Sequence, residues 1–185
     1  MSAQTARPRV LVVMGIEHIV ETYAESLQDE YDVDTATSVA EALGVIDDDH
    51  DVVVIDRQLS READVVVVDE LQKRGVDCRI VLVLDEEPSE SVLELGCTDY
   101  LVTPVDGQEL TETVRRVLRI GEYVDRRREL GSKKLTRNVM EVEHSEHELA
   151  DDESYRELNA EIERLEAVVD EIEAELGLED IDRFL

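Results

Sequence analysis

The stretch Val52-Val53-Val54-Ile55-Asp56 places four consecutive apolar residues before a single carboxylate. A run of this kind, without polar alternation, is typical of a strand that is buried on both faces of a parallel sheet. Asp56 would then stand at the carboxyl end of the strand, the edge where ligands bind in open α/β sheets. Asp56 is therefore the first candidate for a functional residue, although an aspartate that opens the next loop fits the same pattern.

Strand and helix signals alternate on both sides of this stretch. Further strands are predicted at Arg9–Val13, Tyr31–Thr37, Arg79–Leu84 and Tyr100–Thr103, and helices at Ile16–Leu27, Val39–Ile46, Ala63–Arg74, Ser89–Leu95 and from Asp106 onward. Ser38 and Glu41 form an N-cap signature, and the acidic run 47–51 is predicted to be a solvated connector. Right-handed crossovers between these strands predict an α/β fold with a doubly wound, five-stranded parallel sheet.

The composition is strongly acidic along the whole chain. The 185 residues include 48 Asp and Glu against 19 Lys and Arg, which gives a formal net charge of −29. Self-repulsion on this scale becomes tolerable when molar salt shortens the Debye length to roughly 3 Å. The composition therefore indicates a salt-rich cytosol, with a generic acidic interaction protein as the alternative.

Export and membrane insertion are not expected. Residues 1–9 lack an apolar core with a cleavage site, and no stretch approaches the ~20 apolar residues of a spanning helix. Cys78 and Cys97 have no CxxC spacing, so buried reduced thiols are the default interpretation. We expect a cytoplasmic protein.

Three segments stand out together, namely Arg9-Val10-Leu11-Val12-Val13, Val54-Ile55-Asp56-Arg57 and Asp99-Tyr100-Leu101-Val102-Thr103-Pro104-Val105. Together they resemble the receiver domain of two-component response regulators, whose fold is flavodoxin-like. The region from about Tyr123, with Ser132-Lys133-Lys134 and Glu146-His147-Glu148-Leu149-Ala150-Asp151, resembles the HalX domain that follows receivers in haloarchaea. The resemblance implies a receiver-like domain at about residues 7–122 and a HalX-like helical region at 123–185.

The receiver resemblance implies acyl phosphate chemistry at Asp56, with Tyr100 as the aromatic residue that moves on activation. In the family, an acidic pair after the first strand holds Mg²⁺, a Thr or Ser ends strand four, and a Lys precedes the proline of strand five. This sequence departs from the pattern at every one of these positions, which are occupied by Met14, Gly15, Leu84 and Thr103. The loop after the acceptor also differs and reads Leu59-Ser60-Arg61.

These departures remove most of the electrostatic stabilisation on which phosphoryl transfer depends. The sequence therefore predicts a degenerate phosphorylation site without a bound cofactor. Rescue of a Mg²⁺ site by Glu17, Asp85 and Glu86 is the alternative, but none of them replaces the missing pair residue for residue. His144 and His147, at i and i+3 on a predicted helix, could share a metal, although solvated helix surface is the simpler interpretation.

One segment runs against the overall charge. Between Arg115 and Arg137, nine basic residues accompany only three acidic ones. Such a stripe could contact DNA phosphates, but no DNA-binding motif accompanies it. We favour a partner for the acidic tail, within the chain or in another subunit.

The acidic tail carries the clearest periodicity in the chain. Its apolar residues follow a heptad spacing and are Tyr155, Leu158, Ile162, Leu165, Val169, Ile172 and Leu176, which we call the seam. A seam of this kind requires a partner helix. We expect a homodimer through the seam, with an α-helical hairpin against the stripe Leu135, Val139, Val142 and Leu149 as the alternative.

The sequence thus predicts signal transduction through protein–protein contacts at a face marked by Asp56 and Tyr100, independent of phosphorylation and without enzymatic activity. A histidine kinase or a downstream regulator would be the partner. The first alternative is a response regulator that accepts phosphate on Asp56 from a histidine kinase. The second is a transcription regulator that contacts DNA through Arg115–Arg137.

Overall fold

The computed structural model describes residues 7–59, 63–76, 78–88 and 96–177. Contacts between Cα atoms divide the chain into two compact units, Met1–Leu118 and Arg119–Leu185. The described strands all belong to the first unit, and the described part of the second unit is helical.

The described strands of the first unit form a five-stranded parallel sheet, so the predicted fold class is confirmed. They are β1 (Arg9–Val13), β2 (Asp32–Ala36), β3 (His50–Asp56), β4 (Arg79–Leu84) and β5 (Asp99–Val102), in the order β2-β1-β3-β4-β5. Because β2 lies on one side of β1 and β3 on the other, the loops after β1 and β3 meet at the topological switch point.

The apolar run of β3 is buried on both faces of the sheet. Val53 and Ile55 belong to one apolar cluster, Val52 and Val54 belong to the other, and all four side chains are 0% exposed. Full burial of each such side chain stabilises the fold by roughly 1.5–3 kcal/mol relative to exposure. The uninterrupted apolar run follows from this double burial.

Among the described residues of the first unit, three helices lie between the strands: α1 (Glu17–Leu27), α2 (Val39–Val45) and α3 (Ala63–Arg74). The cap predicted before α2 is present, because Ser38 Oγ accepts a hydrogen bond from Glu41 N at 3.2 Å. Glu41 in turn accepts one from Thr37 N at 2.8 Å. The predicted helix 89–95 lies outside the described residues.

The prediction that residues 47–51 form a solvated connector is wrong at its carboxyl end. His50 begins β3 and is 2% exposed. Its ring Nδ1 lies 2.8 Å from Asp47 Oδ1 and its Nε2 lies 3.1 Å from Asp34 Oδ2. Arg9 also pairs with both carboxylates, so the acidic residues enclose two polar side chains at the amino edge of the sheet.

Three further helices follow: α4 (Gly107–Glu143), α5 (Glu146–Asp151) and α6 (Glu153–Leu176). The division between the two units falls inside α4. In the second unit, the part of α4 beyond Leu118 and α6 run antiparallel. Ion pairs join Arg119 to Glu175, Lys133 to Glu161 and Lys134 to Glu166.

The seam is largely buried within this single chain. Leu158, Ile162, Leu165, Val169 and Ile172 are between 0 and 9% exposed. Among their neighbours is Tyr123 of α4, which forms an apolar cluster with Val169 and Ile172. The expectation that the seam meets a second copy is therefore wrong, because the intrachain hairpin already covers it.

The predicted hairpin stripe on α4 is also wrong. Leu135, Val139 and Val142 are 65, 47 and 87% exposed, whereas Leu149 of α5 is buried. The face of α4 toward α6 instead carries Lys133 and Lys134, whose long aliphatic stems can cover apolar surface while the ammonium groups reach carboxylates.

Across the described ranges, no helix combines the length and the apolar character needed to cross a membrane.

Candidate functional site at the carboxyl edge of the sheet

Asp56 is the last residue of β3 and lies at the switch point. Its Oδ1 accepts a hydrogen bond from Gln58 N at 2.8 Å, which opens the short 3-10 turn Arg57–Leu59. Burial raises the pKa of the Asp56 carboxyl, the Gln58 hydrogen bond lowers it, and the negative charge of Asp85 raises it. The sum of these effects is a pKa above the ordinary value. The Asp56 carboxyl is therefore protonated more readily in the folded chain than it would be in water.

The strand register brings the positions that differ from the receiver pattern to the same edge of the sheet as Asp56. Val13 pairs with Ile55, so Met14 follows β1 beside the end of β3. Asp56 pairs with Val83, which places Leu84 one step further along β4. Thr103 follows β5 and donates its backbone N–H to the Leu84 carbonyl at 2.8 Å.

Met14 and Gly15 offer no oxygen side chain to a cation. Met14 is 2% exposed and packs in the apolar cluster on one face of the sheet. A Cβ atom at Gly15 would lie 3.8 Å from the Leu59 Cδ2 atom, so an apolar side chain adjoins this position. Leu84 is 5% exposed and belongs to the other apolar cluster.

Two of the three acidic residues beyond β4, Asp85 and Glu87, accept hydrogen bonds from neutral polar groups. The Gln58 side-chain amide donates a hydrogen bond to the Asp85 carboxylate. The Tyr100 hydroxyl donates one to Glu87 Oε2 at 2.9 Å. Asp85 and Glu87, together with Arg57, Gln58, Leu84 and Pro88, line an open depression beside Asp56. The hydrogen bonds of Asp85 and Glu87 thus hold two of the side chains that line this depression.

The carboxylates at this edge can be compared with the ligands that a magnesium ion requires. Mg²⁺ requires several hard oxygen ligands in near-octahedral geometry. In the part of the chain that the structure describes, no three His, Cys, Asp or Glu side chains form a group that could hold a metal. Glu17 is the exposed first residue of α1, and it does not join such a group with Asp85 and Glu86.

The two histidines of the tail do not lie on one helix as the sequence predicted. α4 ends at Glu143, before His144, and α5 begins at Glu146, before His147. A capping box at Ser145 interrupts the helix, because Ser145 N donates to Glu148 Oε2 at 2.8 Å. His144 and His147 therefore do not lie one turn apart on a continuous helix.

Each basic residue of the segment Arg115–Arg137 contacts an acidic or phenolic side chain of its own unit. In the first unit, Arg115 pairs with Glu30 and Arg116 with Asp99. In the second, the pairs are Arg119 with Glu122 and Glu175, Arg126 with Glu129, Arg127 with the Tyr123 hydroxyl, Arg128 with Asp125, Lys133 with Glu161, Lys134 with Glu166, and Arg137 with Glu141. The favoured interpretation, a partner for the acidic tail, describes three of these residues, Arg119, Lys133 and Lys134, whose pairs lie within the chain. The other six contact residues outside that tail.

Sequence reasoning missed the polar contacts between distant segments. The Gln58–Asp85 and Tyr100–Glu87 hydrogen bonds join residues 27 and 13 positions apart. Gln58, Asp85 and Glu87 follow the carboxyl ends of predicted strands, whereas Tyr100 begins one, so the sequence gives no signal for the contact of Tyr100 with Glu87. Parallel strands bring such ends to one edge, but the partner of each side chain depends on loop conformation.

Comparison with known proteins divides the chain close to the boundary between its two compact units, at Leu118 and Arg119. Residues 119–185 match the family described as the HalX domain. A Haloferax volcanii protein named as a transcriptional regulator is 33% identical over 172 residues, which is 92% of this chain and 29% of that protein. A transcriptional regulator, ycf27, of Porphyridium aerugineum is 31% identical over 119 residues, which is 61% of this chain and 49% of that protein.

Among solved structures, the chemotaxis protein CheY4 of Vibrio cholerae is 28% identical and superposes with a TM-score of 0.54. The match covers 60% of this chain and 99% of CheY4. The chain thus spans less than half the length of the two curated relatives, but it contains the counterpart of nearly all of CheY4. The chain carries a domain with the response regulator receiver fold, followed by a HalX domain.

Proposed function

We propose that this chain is an atypical receiver of two-component-type signalling, which acts in a salt-rich cytoplasm through protein–protein contacts and without phosphorylation of Asp56. Its contact face is the carboxyl edge of the sheet, where Asp56, Gln58 and Asp85 lie and where the Tyr100 hydroxyl contacts Glu87. A histidine kinase or a downstream regulator is the protein partner. The chain itself catalyses no reaction.

One observation carries this proposal: the environment of Met14 and Gly15. Phosphoryl transfer to a carboxylate requires a cation to neutralise the charge that develops between donor and acceptor. Met14 is committed to the apolar core and Gly15 adjoins Leu59, so a divalent cation beside Asp56 would lack protein ligands from β1. Asp85 adds a further negative charge, which an incoming phosphoryl group would have to approach.

The hydrogen bonds of the edge support a role in contacts. Tyr100 is held by Glu87, and Gln58 is held by Asp85, so the surface has a defined pattern of amide, phenol and carboxylate groups. A partner that presents complementary polar groups could recognise this pattern without a covalent signal. Tyr100→Phe would remove one element of the pattern and leave the ring in place.

Phosphorylation is tested by incubating the full chain with acetyl phosphate and Mg²⁺ in molar KCl and measuring the intact mass. We expect no gain of a phosphoryl group, and the Asp56→Asn variant should give the same spectrum as the wild type. In the native host, Asp56→Asn should leave the regulated output unchanged, whereas loss of the whole chain should alter it.

A stoichiometric acyl phosphate that disappears in Asp56→Asn would contradict the proposal and establish the phosphorylated response regulator. The variant Asp48→Asn is a suitable control, because Asp48 is exposed and lies outside the edge. Its mass spectrum should match that of the wild type in either case.

The names of the two relatives favour transcription as the regulated process. We propose that this chain contributes to it through protein contacts, because eight of the nine basic residues of Arg115–Arg137 already pair with acidic side chains and the net charge is −29. In fluorescence anisotropy with labelled duplex DNA, we expect no binding as KCl is lowered within the range where the chain stays folded. Binding that weakens with salt, and that Arg126→Gln and Arg128→Gln reduce, would favour direct DNA contact.

A further inference from the structure

His50 is a buried titratable side chain at the opposite end of β3 from Asp56. It begins the strand that Asp56 ends, so it lies at the amino edge of the sheet. Its side chain is 0% exposed. Histidine ordinarily changes its charge between about pH 5 and 8, so the groups around the ring decide what such a change does to the protein.

Charged groups from several elements surround the His50 ring. Arg9 of β1 pairs with His50 in the strand register. The Arg9 guanidinium also lies 2.6 Å from Asp34 of β2 and 3.0 Å from Asp47, and both carboxylates contact the ring. Further charged residues at this edge are Asp32, Asp49, Asp51, Arg74 and Arg79.

The charges of the four groups in direct contact balance when the ring is protonated. Arg9 carries one positive charge against the two carboxylates of Asp34 and Asp47. A neutral ring leaves one negative charge in excess, and a protonated ring cancels it. A buried charge is tolerated when it is paired and hydrogen-bonded in this way.

The two ring nitrogens of His50 have different surroundings. Nε2 lies 3.1 Å from Asp34 Oδ2. Because a carboxylate only accepts hydrogen bonds, Nε2 carries a proton in the neutral ring as well as in the charged one. The nitrogen that gains or loses a proton is therefore Nδ1.

Nδ1 has a partner for each of its protonation states, and both partners belong to Asp47. The backbone N–H of Asp47 donates toward Nδ1 over 3.2 Å, and Oδ1 of the same residue lies 2.8 Å from Nδ1. A bare Nδ1 accepts from the amide, whereas a protonated Nδ1 donates to the carboxylate. The buried ring can therefore change its charge without leaving a ring nitrogen unsatisfied, which would be costly.

The Asp47 carboxylate responds to the same proton. Its Oδ1 also accepts hydrogen bonds from Arg9 Nη1 at 3.0 Å and from Asp49 N at 3.1 Å. When Nδ1 is protonated, three donors converge on this oxygen. When Nδ1 is bare, its lone pair faces the oxygen at short range, and the repulsion between two acceptors weakens the hold on the carboxylate.

We propose that His50 is a proton-operated switch of the amino edge, in which Nδ1 exchanges the backbone N–H of Asp47 for the Asp47 carboxylate as the pH falls. The protonated form joins β2 to residues 47–49 through charge-assisted hydrogen bonds on both sides of the ring. The neutral form keeps the link from Nε2 to Asp34 and releases the Asp47 carboxylate. The part of the chain that responds is the segment 47–49 between α2 and β3.

The switch is tested by NMR of the full chain in molar KCl, with the imidazole nitrogens of His50 followed from about pH 8 to pH 5. We expect the Nδ1 resonance to move from that of a bare nitrogen to that of a protonated one, while Nε2 stays protonated throughout. The amide resonances of Asp47 and Asp49 should move along the same titration curve.

Asp47→Asn tests the role of the carboxylate, because it keeps the backbone N–H and removes the charge. In this variant the His50 ring should become protonated at a lower pH than in the wild type. Asp48→Asn is the matched control, since it removes the same charge from an exposed neighbour that molar salt screens. Its His50 titration should match that of the wild type.

A His50 ring that keeps one protonation state over the whole range would overturn the proposal. A ring that titrates while the Asp47 amide resonance stays in place would also overturn it. Equal displacement of the titration by Asp47→Asn and Asp48→Asn would show that the contact with the Asp47 carboxylate has no special effect. The measurements concern the amino edge, so a phosphorylated Asp56 would leave their outcome unchanged.

Discussion

Arg116 Nε donates a hydrogen bond to Asp99 Oδ2 at 3.0 Å, and the Asp99 side chain is 1% exposed. Asp99 begins β5, and its other oxygen accepts a hydrogen bond from Tyr100 N at 2.9 Å. A buried carboxylate is costly unless it is paired and hydrogen-bonded. The guanidinium of α4 therefore fixes the start of the strand that carries Tyr100.

Replacing Arg116 with Met should destabilise the first unit by about 3 kcal/mol, because it leaves a buried carboxylate without its cation. The figure is at the low end of the range for buried pairs, since a third of the Arg116 side chain is exposed. Urea unfolding in molar KCl measures the change.

Arg115→Met is the matched control, because Arg115 pairs with Glu30 at the surface. It should leave the unfolding midpoint almost unchanged. Equal losses for the two variants would show that the buried position of Asp99 has no special effect.

Asp56→Asn should stabilise the protein at neutral pH. Because burial raises the pKa of Asp56 in the folded state, the folded chain binds the proton more tightly than the unfolded chain does. The wild type therefore loses stability as pH rises through that pKa, whereas the asparagine variant does not. The difference should shrink as pH falls to the ordinary Asp value of ~3.9.

Thermal unfolding of both forms across the acid range measures this difference. Asp48→Asn, at an exposed position, should show no such pH-dependent gain. If the stability gain of Asp56→Asn grew as the pH fell, it would contradict a raised pKa of Asp56 in the folded chain.

Gly107→Ala should destabilise the first unit. A Cβ atom at Gly107 would lie 2.9 Å from the Ser26 Cβ atom of α1, closer than such atoms approach. Overpacking of this kind typically costs about 1–3 kcal/mol. Chemical unfolding measures the cost, and Ser26→Ala in the same chain should recover part of it.

Gly131→Ala, in the same helix, should have the opposite effect. Nothing lies within 4 Å of an added Cβ at this position. Alanine is favoured over glycine in a helix by roughly 0.5–1 kcal/mol. If both variants lost stability, the close approach at Gly107 would not be the cause.

Ile172→Ala should destabilise the second unit by about 2–5 kcal/mol, because this seam side chain is 0% exposed. Hydrogen exchange of the α6 amides measures the loss. Val142→Ala, at an 87% exposed position, should leave exchange in α6 unchanged. If Ile172→Ala instead converted a dimer into folded monomers, the seam would be a contact between two chains and not within one.

Stability should rise steeply with KCl. Screening relieves the repulsion that accompanies a net charge of −29. A gain of ~3 kcal/mol between dilute and molar salt would raise the melting temperature by roughly 6–12 °C. NaCl should act like KCl at equal ionic strength. A melting temperature independent of both salts would refute the salt-adapted interpretation.

Much of the candidate site could be predicted from the sequence. The run Val52–Ile55 specified a doubly buried strand because only such a strand requires apolar residues at consecutive positions. The resemblance to receiver domains identified Met14, Gly15, Leu84 and Thr103 as departures from the family's pocket, and each of them lies at the end of a predicted strand or directly after one. The partners of Asp85 and Glu87 could not be predicted, since hydrogen bonds between loops depend on where each loop turns.

The sequence by itself determined that α6 carries a heptad seam and that Leu135, Val139 and Val142 share one face of a helix, because periodicity alone sets which side chains lie together. Only the tertiary structure decided what covers them. The seam packs against the basic side of α4 because long Lys and Arg stems shield apolar surface while their charges reach the glutamates of α6. That choice turns the apolar side of α4 outward, since a helix presents only one of its faces to a single neighbour.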